Sequence, residues 1–396
     1  MKLAVLMTLS SPWSREAAAR LANCGHQVHV IDFCVRDPEA YLSCQDVFQA
    51  GDIQKFRRSV ADVHILQSRF SSHLRYVTAA RALNRTLRRI GADLLVTFYG
   101  GGFATIAYLS GFRPYVVYVV GSDVLLGGRA KRILASIALA SARAVFVNGQ
   151  YLSTMTKKLT GDTNTECLYL GTDTEMFTPD SAQTSPIRIV CTRGFSTVYN
   201  NEYLIRALAE MPSLPQAYDY EVVFTSLGPL LERVRALADE VLPIECRRKV
   251  KFLGGVDRGQ IRNTLRESHI FVSLSRSDGA SISLMEGLSC GLFPILSDIP
   301  ANREWISADG KNGTLVPLDQ PEVLASALIR AISNDELRAQ AANYNRRMIL
   351  ERADSRKNMI FLAAQLEQLT LANGMQGTDL VHTADQPIRT LGGGLE

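Results

Sequence analysis

The chain has 396 residues, 46% of them hydrophobic and 21% charged, with a formal net charge of +4. That length suggests two to three domains, and the balance of apolar and charged residues excludes a disordered or fibrous chain. The mild charge says little about partners by itself, no nucleic-acid partner is expected, and no segment approaches the apolar length that spans a bilayer.

Residues 1–7 read as a first strand rather than a leader, because the apolar run stops at Thr8. The first half then offers strands at Leu3–Met7, Val28–Ile31, Leu94–Phe98, Tyr115–Val119 and Ala144–Val147, with helical patterns between them. Such alternation implies a parallel sheet. Residues 73–90 form a basic amphipathic pattern: Leu74, Val77, Leu83, Leu87 and Ile90 mark one face, with Arg75, Arg81, Arg85, Arg88 and Arg89 around it. This pattern fits peripheral contact with anionic lipid, and equally a solvated helix packed on its own sheet. Tyr99-Gly100-Gly101-Gly102-Phe103 follows a strand and precedes a helix. It is no dinucleotide fingerprint, since Thr105 stands where the last glycine belongs.

Residues 178–186 are polar with flanking prolines and read as a linker. The second half repeats the alternation with strands at Ile187–Cys191, Glu221–Thr225, Val250–Phe252, Ile270–Leu274 and Pro294–Leu296. Residues 350–371 are helical in pattern, and after Asn373 the chain turns polar and glycine-rich, as a disordered tail does. The seven cysteines are scattered and form no Cys-x-x-Cys pair, which points to reduced thiols and a cytoplasmic protein rather than disulfides or a zinc site.

The densest signal is Ser275–Gly291: strand end, small-residue loop, then a short helix expected to open on Ser283. Small residues let backbone N–H groups approach a bound group, and a helix N-terminus favours an anion. Asp278 and Glu286 flank that loop. Ser283-x-x-Glu286 is also a capping box, and Asp278-Gly279 is also an ordinary turn dipeptide.

Asp278-x7-Glu286, Gly291-Leu-Phe-Pro-Ile, Asn302-Arg-Glu304 and Gly313-Thr-Leu-Val-Pro occur in that order. Upstream stand Leu170-Gly171-Thr-Asp173, Cys191-Thr-Arg193-Gly-Phe and Val250-Lys-Phe-Leu-Gly254. Together they resemble the donor half of the retaining glycosyltransferases of family 4, and the resemblance covers about residues 165–350. It implies an α/β protein of GT-B fold, with two Rossmann-like parallel-sheet domains facing across a cleft. The N-terminal acceptor domain is expected at 1–172 and the nucleotide-sugar donor domain at 187–350. A helix at 351–372 would cross back to the first domain, leaving a tail at 373–396.

The resemblance also assigns roles. Arg193 would approach the donor pyrophosphate, Asp278 the donor sugar and Glu286 the nucleotide ribose. The backbone of Gly279, Ala280, Ser281, Ile282 and Ser283 would hold the donor, with Gly254 and Gly255 near the base. The last two also read as a strand-end turn. On the acceptor side Gly101 and Gly102 admit a hydroxyl acceptor, and Asp123 either orients a sugar or caps the following helix. Three departures stand out: Asp278 replaces the family's first glutamate, the family's lysine after the arginine is replaced within Ser196–Tyr199, and its histidine before Gly121 is Val120. The implied activity is metal-independent, retaining transfer from a nucleoside-diphosphate sugar in surface glycan or glycoconjugate assembly, onto an acceptor that could be lipid-linked. The alternatives are a nucleotide-sugar epimerase or hydrolase on the same fold, and a non-catalytic nucleotide- or glycan-binding partner.

Overall fold

The computed structural model describes residues 1–34, 52–67, 74–121, 129–161, 164–180, 185–211 and 219–374. The first unit is a seven-stranded parallel sheet of β1 (Lys2–Leu6), β2 (Gln27–Cys34), β3 (Asp62–Gln67), β4 (Leu94–Phe98), β5 (Tyr115–Val119), β6 (Ala144–Val147) and β7 (Thr165–Cys167), in the order β3-β2-β1-β4-β5-β6-β7. The second is a six-stranded parallel sheet of β8 (Ile187–Cys191), β9 (Tyr220–Phe224), β10 (Val250–Phe252), β11 (Ile270–Ser273), β12 (Phe293–Ser297) and β13 (Thr314–Val316), in the order β10-β9-β8-β11-β12-β13.

Both sheets reverse their strand order once, between β1 and β4 and between β8 and β11. Loops leaving the carboxyl ends of strands at such a reversal splay to opposite faces and open a crevice. The chain therefore places four loops for ligand contact: those after Leu6, Phe98, Cys191 and Ser273. The interior strands are mostly apolar, as burial on both faces favours, and β4, β5, β9, β11 and β12 are buried along their whole length, Thr97 and Glu221 included.

Three strands carry no continuous apolar run in the sequence, namely β3, β7 and β13. All three are sheet edges, where half of the side chains meet solvent. The expected helix at 350–371 is in fact the end of one helix, Asp335–Arg352, and a second, Ser355–Gly374. Neither glycine nor proline marks the break. Asp354 makes it, accepting from Thr174 Oγ1 at 2.6 Å and from the Lys357 amide at 3.0 Å, so its carboxylate caps the second helix. That helix buries Met359, Leu362, Ala363 and Leu366 in the core of the first sheet. The chain thus crosses between the units twice, and the crossings pair: Thr172 donates to the Ala353 carbonyl at 2.9 Å and Ser355 to the Thr172 carbonyl at 3.0 Å.

The basic pattern at 73–90 is a helix, Leu74–Ile90. Leu83 and Leu87 are fully buried against the first sheet, while Arg81, Arg85, Arg88 and Arg89 face solvent. Burying such a leucine is worth about 1.5–3 kcal/mol, so Leu83 and Leu87 are committed to their own core, while Val77 is 39% exposed and the outward face is cationic. His73 lies outside the described residues, as do 181–184 of the linker and the tail from 375.

Candidate active site

Arg193 follows β8 and points into the loop after β11. Its Nη1 donates to Ser281 Oγ at 2.6 Å and Ser283 Oγ at 2.9 Å, and its Nη2 to Asp278 Oδ2 at 2.6 Å. The guanidinium lies 4.2 Å from the ring centre of Tyr199, a cation–π contact. An arginine suits this place because its planar fork can serve several acceptors at once. Its Nε is buried without a hydrogen-bond partner. Asp278 accepts from the Gly279 amide at 2.9 Å, and burial raises its pKa against the opposing pull of Arg193.

The helix expected to open on Ser283 opens two residues earlier. It spans Ile282–Ser289, and Ser281 is the N-cap, accepting from the Leu284 amide at 3.3 Å. Both serines suit a cap by type. The Ser283 hydroxyl instead takes a hydrogen bond from Arg193. The capping-box reading of Glu286 fails with it, for Glu286 sits inside the helix and is 8% exposed.

The Glu286 carboxylate faces Arg258 Nη1 at 3.6 Å, and Arg258 Nη2 reaches Glu16 Oε2 at 2.8 Å across the crevice. Glu16 in turn binds Arg20 at 2.8 Å, and Arg20 binds Asp173 at 2.9 Å. Burial pushes the Glu286 pKa up to about 7; Arg258 opposes this and Glu16 adds to it. A folded-state value above the ordinary 4.5 means that the carboxyl favours folding most below about 4.5, and that this contribution is lost as pH rises through about 7. Glu286→Gln should therefore show a stability difference from the parent that changes across this window and is flat above it. Urea midpoints over a pH series check this; a pH-independent difference would mean that the carboxyl is solvated.

The loop from Asp278 to Ser281 touches the first unit directly. A Cβ on Gly279 would lie 3.3 Å from both Gly121 Cα and the Val120 carbonyl. Asn148 holds this contact: its Nδ2 donates to the Ala280 carbonyl at 3.0 Å and to the Val120 carbonyl at 3.2 Å, while its Oδ1 accepts from the Leu170 amide at 3.0 Å. Glu304 makes a second bridge, accepting from the Gln150 amide at 2.8 Å and the Tyr169 hydroxyl at 2.9 Å. Burial raises its pKa.

Gly254 and Gly255 lie against Leu227, whose carbonyl also accepts from Phe195. A Cβ on Gly255 would meet Leu227 Cδ1 at 2.8 Å, but that leucine is 62% exposed and can swing aside, so packing does not demand glycine at 255. Gly101 caps the helix Gly102–Leu109, and a Cβ on Gly102 would make only ordinary contact with Tyr76 at 3.6 Å. Packing does not demand glycine at 102. Just before them Tyr99 holds φ +84, a costly backbone for a bulky residue, and its ring stands edge-on to Trp13 at 5.5 Å. Asp123 lies outside the described residues.

The structure thus gathers Arg193, Asp278, Ser281 and Ser283 into one constellation, with Glu286 further along the same helix. Glu16, Asn148, Arg258 and Tyr199 were not singled out by the sequence as site residues. Asn148 carries a weak signal as the polar residue ending an apolar strand. The Glu16–Arg258 pair, 242 positions apart, carries none.

Residues 173–348 match the family Glycosyl transferases group 1, and residues 2–149 match Glycosyl transferase 4-like. A phosphatidyl-myo-inositol mannosyltransferase of Mycolicibacterium smegmatis is 30% identical over 137 residues, 33% of this chain and 33% of that protein. The D-rhamnosyltransferase WbpZ of Pseudomonas aeruginosa is 36% identical over 115 residues, 28% of this chain and 29% of its own. The matched region thus spans about a third or less of these relatives. Among solved structures, sucrose-phosphate synthase from Thermosynechococcus elongatus superposes with a TM-score of 0.76 at 15% identity, over 94% of this chain and 100% of that one. Anabaena HepE in complex with UDP gives 0.74 at 17% identity, over 93% and 100%. Two family matches that together run through both sheets, on a two-sheet frame shared with these enzymes, make this chain a member of the group 1 glycosyltransferases of GT-B fold.

Proposed function

We propose that the chain transfers a sugar from a nucleoside diphosphate to a hydroxyl acceptor with retention of anomeric configuration. The observation that carries this reading is the Arg193 fork, set among Asp278, Ser281 and Ser283 at the mouth of the helix bearing Glu286. The pyrophosphate would take guanidinium hydrogen bonds now made to the two serines and the amides of Gly279–Ser283. Asp278 would lie against the sugar, Glu286 would accept from the ribose hydroxyls, and the base would rest by Gly254 and Gly255. The acceptor would enter past Tyr99–Gly102. The bond from the anomeric carbon to the phosphate oxygen breaks, and the bond to the acceptor oxygen forms on the same face. The acceptor proton passes to the leaving phosphate. With Val120 at the histidine position, no imidazole is offered there as a base. Charge stabilisation by Arg193 and the helix N-terminus needs no metal.

Relatives named for phosphatidyl-myo-inositol and for a cellobiosyl-diphosphopolyprenol support a lipid-linked acceptor in surface glycoconjugate assembly. No helix among the described residues is long and apolar enough to cross a membrane. The outward arginines of Leu74–Ile90 would supply peripheral contact with anionic headgroups.

The test is thermal stabilisation by a panel of nucleoside diphosphates and their sugars, with chelator present. One base should raise the melting temperature, and Glu286→Ala should remove most of that shift. The anomeric configuration of the product, read by NMR, decides retention. Donor affinity and turnover left intact by Glu286→Ala would overturn the site. Saturable binding without turnover over a broad acceptor panel would favour a non-catalytic partner.

A further inference from the structure

We propose that His29, Asp62 and His64 form a binding site for a borderline divalent transition ion such as zinc, on the outer edge of the first sheet and separate from the sugar-transfer cleft. The placement follows from strand register. His29 on β2 stands opposite Asp62 on β3 in a parallel pair, so their side chains share a face. Asp62 and His64 are two positions apart on β3, so His64 joins that face.

The distances suit an ion. His64 Nε2 lies 3.5 Å from His29 Nδ1 and 3.5 Å from Asp62 Oδ2. At 3.5 Å the two nitrogens are beyond the usual range of a direct N–H···N bond. Ligands about 2.0–2.1 Å from a tetrahedral zinc stand roughly 3.3–3.4 Å from each other. All three ligand atoms lie within 4.8 Å of one another, and the remaining pair closes by turning the exposed Asp62 carboxylate. The Val63 amide already donates to Asp62 Oδ1 at 2.7 Å, leaving Oδ2 towards the histidine. Two imidazoles and one carboxylate favour a zinc-like ion over calcium or magnesium, which take oxygen ligands. Exposure of Asp62 leaves room for water as a fourth ligand.

Two cations lie near, Lys2 and Arg89, and they lower the affinity without closing the site. The Lys2 ammonium is directed to the Ile90 carbonyl at 3.4 Å. His29 is the third residue of β2, at the opposite end of the sheet from the crevice. A bound ion would clip the edge strand β3 to its neighbour β2. This inference stands apart from the donor site and holds whatever sugar is transferred.

The experiment uses full-length, tag-free protein stripped with chelator and titrated with Co²⁺ and then Zn²⁺ alone. Calorimetry should give one ion per chain. Cobalt should develop the visible absorption of a four- or five-coordinate ion, and zinc should raise the melting temperature. His29→Ala and His64→Ala should each weaken binding at least about tenfold, and Asp62→Asn, which keeps the size of the side chain, should weaken it less. His382→Ala, a control in the C-terminal segment, should bind as the parent does. If an alanine variant loses its circular dichroism signal, Asp62→Asn with the cobalt spectrum decides in its place. No saturable binding, or binding unchanged in the folded histidine variants or in Asp62→Asn, would overturn the site.

Discussion

Arg193→Ala should lower kcat by about 100- to 1,000-fold with the donor base identified by thermal stabilisation, the range seen when one preorganised donor to a developing oxyanion is removed. The guanidinium binds charge that grows as the phosphate departs, so the loss should fall more on kcat than on KM. The variant also strands Asp278, whose pKa is already raised by burial and held back by Arg193. That carboxyl should then protonate more readily, and folding should suffer less than the missing ion pair suggests. Arg193→Lys keeps a charge but cannot reach Asp278 and both serines together, so it should recover only part of the rate. Steady-state kinetics on folded variants are the check. Turnover within threefold of the parent in Arg193→Ala would remove the arginine from the chemistry.

Gly171→Ala should be strongly destabilising although it lies outside the chemistry. Gly171 holds φ +72, and a Cβ there would press on the Ala353 carbonyl and stand 2.8 Å from the Ser355 nitrogen. These are backbone atoms of the second crossing, and they are pinned by the Thr172 hydrogen bonds. A left-handed backbone costs an alanine about 1–2 kcal/mol, and the clash adds to it. A total of roughly 3 kcal/mol or more is expected, against a domain stability of about 5–15 kcal/mol. Urea unfolding measures it; a loss below about 1 kcal/mol would mean that the crossing yields easily.

The sequence and the structure agree most closely where burial is complete. Interior strands such as β4, β5 and β8 announce themselves as largely apolar runs, and their limits match the sequence reading residue for residue. Of the edge strands, β10 is legible but β3, β7 and β13 are not, since Asp62-Val-His-Ile-Leu-Gln reads as polar until a neighbour is known. At the site, Arg193, Asp278 and Glu286 could be named because short motifs hold them. Their surroundings could not, because Arg258 and Glu16 meet only after folding, and nothing in the sequence says which of two serines two positions apart caps the helix when Arg193 engages both. Val120 and Tyr199 show the same limit. The residues missing from a motif are visible in the sequence, but the ring that Tyr199 lays over Arg193 is not.

The paired crossings at Thr172 and Asp354 act as a pivot with two pins. Two chain segments bonded side by side resist twisting and sliding far more than a single linker would, so relative motion of the two sheets is confined to a narrow set of axes through that pair. Contacts that tie the first unit to the crossing segments are clustered about the same place. Asn148 binds Leu170, Arg20 binds Asp173, and Glu16 lies 3.4 Å from the Ser355 hydroxyl. Bonds so near a pivot have short lever arms. They fix where the axis runs but exert little torque against opening, which leaves the angle of the jaw to whatever bridges the crevice farther out.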